Sequence, residues 1–145
     1  MSDFSWTDAF LLGYPPMDAT HREFVSCVQA LQAADETTVL DALVAFQAHA
    51  ERHFTEEREW MESTDFPARE CHVDEHEAVL RSLREVRAHL EAGGDTRVVQ
   101  GLAEELVRWF PGHADYMDAA LSHWMVKRRL GGKPVVLKRN ILAEG

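Results

Sequence analysis

Three short stretches of the chain carry metal-binding side chain types at helical spacing. In His53-Phe54-Thr55-Glu56-Glu57 an imidazole and a carboxylate stand four residues apart. On an α-helix that is an offset of about 40°, so the two side chains converge on one point. His72-Val73-Asp74-Glu75-His76 repeats the geometry with two imidazoles. In His113-Ala114-Asp115-Tyr116-Met117-Asp118 the end residues are five apart, about 140° around an ideal helix, and would diverge. A local π-bulge would bring them back together. Pro111-Gly112 loosens the same turn, since Pro111 removes a backbone donor. A kink or bulge is therefore expected between Phe110 and Asp118.

The second stretch admits two chemistries. As H-x-x-E-H it is the inverted zinc-peptidase signature, with Glu75 as general base. As two histidines on one face it is half of a larger metal site. Glu75 directly precedes His76, so it should point about 100° away from it, toward solvent. The peptidase reading also leaves the other ligands unexplained, and the larger site is the better account.

These ligands need helices to carry them, and apolar residues recur at helical spacing through most of the chain. After the lead-in FSWTDAFLLGYPP, Pro16 can open a first helix with Met17, His21, Phe24, Val28 and Leu31 on one face. A second stripe runs Val39, Leu43, Phe46, Ala50, His53, Glu57 and Trp60. Following ESTDFP, Pro67 can open a third helix with the stripe His72, His76, Val79, Leu83, Val86 and Leu90. Gly93-Gly94 ends it, and Asp95 or Thr96 can cap the next. The fourth stripe is Val99, Leu102, Leu106, Trp109, His113, Met117 and Ala120. Four amphipathic helices with short connections imply an all-α, up-down-up-down four-helix bundle over residues 1–130. An extended lead-in precedes it and a basic tail, residues 131–145, follows it.

All four inward stripes carry histidine: His21, His53, His72 with His76, and His113. Burying polar groups is costly unless they are paired or metal-bound, so these burials call for a common cause. Five imidazoles and two carboxylates, Glu57 and Asp118, exceed what one tetrahedral zinc takes. They suit two metals bridged by the carboxylates, with iron favoured and zinc or manganese also compatible.

Composition bounds the rest. The 145 residues suggest one domain, and 46% hydrophobic content suffices for a core. A net charge of −10 argues against a nucleic-acid partner. Residues 127–145 nevertheless set six Lys and Arg against Glu144 alone, a net +5, so the tail can fold back on the acidic bundle or dock an acidic protein partner. No stretch is apolar enough to span a membrane, and the N-terminus lacks signal-peptide features. Two cysteines, Cys27 and Cys71, fit a reducing cytoplasm.

In ordered combination these motifs resemble the hemerythrins, specifically the single-domain bacterial form. The matching elements are F-S-W…L-L-G-Y-P-P-M-D-A-T-H, H-F-T-E-E-R-E-W-M, H-V-D-E-H and H-A-D-Y-M-D, spanning residues 4 to about 125. The resemblance implies two iron ions under an oxo or hydroxo bridge. Glu57 and Asp118 would bridge them, His72, His76 and His113 would fill one iron, and His21 and His53 would bind the other and leave it an open position. It implies O2 as ligand, held as hydroperoxide at that open iron, and NO, azide or other small anions as competitors. Reversible O2 binding (carriage, storage or delivery) is the leading expectation, and no enzymatic role is expected. The alternatives are O2 or redox sensing through the tail or an oligomer, and a di-iron peroxidase or nitric-oxide-handling protein.

Several residues stay open between pocket and plain core: Phe24, Phe46, Phe54, Phe110 and Met117. Ala114 stands where the family commonly has a branched aliphatic residue, which predicts a roomier pocket and faster autoxidation. His49 can neighbour the site but reads more simply as structural. His89 and His123 read as surface residues, and Trp6 and Trp109 as packing around the bundle end.

Overall fold

A computed structural model describes residues 4–129 of the chain. Its helices are α1 (Pro15–Ala33), α2 (Val39–Ser63), α3 (Arg69–Glu91) and α4 (Arg97–His113). A π-turn (Ala114–Asp118) continues the fourth run into α5 (Ala119–Arg129). Consecutive helices pack together and α1 closes against α4, which makes the expected four-helix bundle. No strand occurs among the described residues. The basic tail, 131–145, lies outside them.

Local chemistry sets the element ends. Pro15 and Pro16 open α1, where the missing N–H groups cost nothing. Asp18 then reaches back: its Oδ1 accepts from the Leu12 amide at 2.8 Å and its Oδ2 from the Gly13 amide at 3.2 Å. This ties the lead-in onto the bundle through Gly13, whose φ of +86° suits glycine. Pro67 does not open α3 as expected. It stays in the turn, and the helix begins at Arg69. Gly93, at φ +87°, ends α3. Thr96 is the N-cap residue of α4 without a side-chain bond; Asp95 Oδ1 instead accepts from the Arg97 amide at 2.8 Å.

The apolar interior falls into two clusters. One holds Val28, Leu31, Leu43, Phe46, Leu83, Val99 and Leu106. The other holds Tyr14, Met17, Met61, Phe66, Leu121 and Met125. Along every helix the candidate ligands lie between these blocks: His21 follows Met17, Glu57 precedes Met61, His72 follows Phe66, and Asp118 precedes Leu121. Burial of the apolar blocks, at about 25 cal/mol per Å², thereby fixes a polar layer that could not hold itself together.

The fourth stripe holds as far as His113 and then shifts by one residue. Ala120, expected inward, is exposed, while Asp118, Leu121 and Met125 are buried. The π-turn carries one residue more than an α-turn, so everything beyond it turns by one position.

Candidate metal centre

Six of the seven candidate ligands meet in the polar layer. His21, Glu57, His72, His76, His113 and Asp118 are each at most 5% exposed. Asp118 is at the middle: its Oδ2 lies 2.8 Å from His21 Nε2, and its Oδ1 lies 2.9 Å from His72 Nε2 and 3.2 Å from His113 Nε2. Glu57 Oε1 lies 3.3 Å from His72 Nε2 and 3.5 Å from His76 Nε2. The Nε2 atoms of His76 and His113 are 3.1 Å apart. Asp118 reaches this point because the expected π-bulge is present and puts it on the same face as His113.

His53 is placed differently. It lines the same cavity as His21, Glu57 and Asp118, but its Nε2 lies 2.8 Å from Glu23 Oε1 and its Nδ1 3.1 Å from Thr20 Oγ1. It is half-buried at the margin of the layer.

The donor set fits metal ions better than it fits itself. His72 Nε2 meets Asp118 Oδ1 and Glu57 Oε1 as close charge contacts, yet none of the three atoms makes a well-aligned hydrogen bond. A buried unsatisfied polar atom costs about 1–3 kcal/mol, so several at one point favour a bound cation. The electrostatics agree. Burial pushes the Glu57 carboxyl up, and the nearby Asp118 adds to that. Burial opposes charge on Asp118 as well, but His113, His21 and His72 hold it well below the usual range. Burial likewise opposes charge on His72, and Asp118 with Glu57 outweighs it and lifts the imidazole to about 9. His76 is driven to about 2 by burial and by the positive neighbours His72 and His113. Such opposed shifts on adjacent groups mark sites built for a ligand.

Glu75 was expected to face solvent, and its side chain is 41% exposed, but the bundle gives it a second use. Its Oε1 accepts from His113 Nδ1 at 2.8 Å and from Trp109 Nε1 at 3.2 Å. Holding the proton on Nδ1 leaves the Nε2 lone pair of His113 directed at the polar layer, the usual arrangement for a metal-bound imidazole. The spacing on α3 turns Glu75 away from His76, and only the packing of α4 gives it partners, so the role was not visible from α3 alone. Glu75 is thus committed to His113 and Trp109, a role for which the peptidase reading of HVDEH makes no provision. Trp109 does not merely fill the bundle end: it stacks on His113, with ring centroids 4.3 Å apart.

Beside the ligands is a cavity of about 20 Å³, lined by His21, Phe24, His53, Phe54, Glu57 and Phe110 among others. That is room for about one water molecule. Phe54 stacks on His76 at 3.8 Å and Phe110 meets His21 edge-on at 5.1 Å. Phe46 packs behind Phe24 and, with Met117 and Ala114, is absent from the wall. Ala114 is buried but stands outside this wall, which aromatic rings dominate. His49 is buried next to His53, whereas His89 and His123 are exposed as expected.

Among described residues no helix is long and apolar enough to cross a membrane. The family description "Hemerythrin HHE cation binding domain" matches residues 12–124. A bacteriohemerythrin of Ralstonia nicotianae is 41% identical over 128 residues, covering 88% of this chain and 93% of the relative. Bacteriohemerythrins of Stenotrophomonas maltophilia and Pseudomonas paraeruginosa are each 26% identical, covering 88% and 82% of this chain and 90% and 82% of the relatives.

Proposed function

Since the chain belongs to the hemerythrin family, we propose that it binds O2 reversibly, as a carrier or store, at a non-heme di-iron centre. The observation that carries this reading is the convergence of four imidazoles, His21, His72, His76 and His113, on two buried carboxylates, Glu57 and Asp118. His72, His76 and His113 would hold one iron, His21 and His53 the other, and Glu57 and Asp118 would join the two. When bound, the iron pair supplies the two electrons that O2 takes up on binding and returns on release.

The chain's own residues set the terms of that exchange. Glu75 fixes the proton of His113 away from the layer. Phe24, Phe54 and Phe110 keep the cavity narrow and mostly apolar, which restricts water and proton supply and favours release of a bound diatomic over its further reduction. NO and azide, which the hemerythrin resemblance implies as competitors, would bind at the same open iron. We therefore read a binding protein and not an enzyme. Cys27 and Cys71 are free thiols, which suits the cytoplasm.

The test is a visible spectrum series on the purified protein: reduce without air, admit O2, then remove it. A charge-transfer band that appears and vanishes reversibly is the expected result. An irreversible oxidised spectrum would replace carriage with sensing or peroxide chemistry, and a colourless zinc protein would overturn the di-iron reading.

A further inference from the structure

Next to the buried layer, and outside the ligand set of the family resemblance except for His53, stands a second group of metal-binding side chains. One ligand atom each from Glu23, His49 and His53 lies within 4.8 Å of the others. Glu23 Oε1 is 2.8 Å from His53 Nε2 and 3.3 Å from His49 Nε2. The three grade from outside to inside: the side chain of Glu23 is 53% exposed, that of His53 13% and that of His49 7%. His49 is buried, and its Nε2 meets Glu23 Oε1 at 3.3 Å without a well-aligned hydrogen bond, which leaves a ligand atom directed into the group. An open cleft of about 420 Å³, bordered by Glu23, Cys27, His49 and Arg52, leads to it from solvent. Its inner side is the narrow cavity that His49 and His53 share with Glu57.

We propose that Glu23, His49 and His53 form a loading site, where a divalent transition metal binds first and from which His53 passes it to the buried centre. The inference rests on the di-iron reading above. The buried ligands are nearly closed to solvent, and a hydrated cation cannot shed its water in one step through a cavity with room for a single molecule. At the cleft it can exchange waters one at a time, first for the exposed carboxylate and then for two imidazoles. Two imidazoles with one carboxylate favour iron, cobalt or zinc over calcium or magnesium. His53 touches both compartments. Rotation of its ring away from Glu23 toward Glu57, four residues along the same helix face, moves a bound ion inward and dissolves the outer site behind it. Arg52 opposes the first step: its guanidinium lies 3.9 Å from Glu23 Oε1 and 3.5 Å from His53 Nε2, so an arriving cation must displace it.

The test follows uptake of cobalt(II) alone by the full chain after its metal has been removed, reading the growth of ligand-field absorption and the final metal content. Glu23→Ala is expected to slow uptake about tenfold or more, the scale at which outer partners of metal ligands act, while final content stays that of the parent chain. His49→Gln is expected to do the same. Arg52→Gln is expected to speed uptake. Glu62→Ala, an exposed carboxylate further along α2 paired with Arg58, controls for the change in charge and is expected to load at the parent rate. If Glu23→Ala and Glu62→Ala load alike, the loading site is overturned while the buried centre stands. If the parent chain takes up no cobalt at all, the di-iron reading falls, and the loading site with it.

Discussion

Glu75 Oε1 stands 2.8 Å from His113 Nδ1, so a carboxylate on α3 sets the direction in which an imidazole on α4 presents its lone pair. The same oxygen accepts from Trp109, one turn earlier on α4 and stacked on the His113 ring. Removing the carboxylate frees both the proton position and the ring. Glu75→Ala is expected to weaken metal retention about 10- to 100-fold in competition with a chelator. Glu75→Gln, which can still accept from His113, is expected to recover most of that loss. Equal retention in all three proteins would show that His113 needs no orienting partner.

Glu57 is suited to a metal and ill suited to the metal-free fold. Its carboxyl is pushed up by burial and by Asp118, so ionising it at neutral pH works against folding. Glu57→Gln is therefore expected to raise the thermal midpoint of metal-free protein by a few degrees and to abolish or halve metal binding. Calorimetry and metal analysis on the same sample check both signs. A lowered midpoint would mean that the contact with His72 outweighs the desolvation of Glu57.

The pH dependence of metal-free protein should peak. His49 and His76 titrate at about 4 and about 2 when folded, against an ordinary 6.5, so below 6.5 the unfolded chain binds more protons and stability falls on acidification. His72 is lifted to about 9, so between 6.5 and that value the folded chain binds more protons and stability falls as pH rises. Denaturant midpoints measured across this range should be greatest near 6.5. A midpoint still climbing at about pH 9 would contradict the pairing of His72 with Asp118 and Glu57.

The π-turn makes a register prediction. Deleting Tyr116, which is 82% exposed, leaves His113 and Asp118 four apart on an ordinary helix and keeps α5 seated. That variant is expected to fold and to bind metal. Inserting one alanine after Tyr116 instead turns Asp118 by about 100° and should abolish binding. Circular dichroism confirms the helix in both, and metal content separates them. Binding by the insertion variant would show that Asp118 is dispensable.

Much of this protein can be read along single helices. Burial follows a period near 3.6, so each stripe announces its face, and ligands four apart must share it. That logic places Glu57, His72 and His76 without any knowledge of the partners. It also exposes His113 and Asp118 as a conflict, five apart and both inward, which only extra backbone could resolve. The resemblance to hemerythrins rests on the same local spacings, taken in order. What happens between helices is different in kind, because it depends on which side chains the packed bundle brings within about 3 Å. Glu75 looks outward from α3 until α4 supplies His113 and Trp109. His53 belongs to the inner stripe of α2, yet its ring faces Glu23 across the α1–α2 seam, beside a buried His49 that the spacing leaves ambiguous. Ala120 reads as core until the added residue of the π-turn hands its place to Leu121. Helical periodicity is a property of the chain and survives in the sequence. Contacts, tautomers and register after an irregular turn are properties of the packing, and the bundle had to form before they existed.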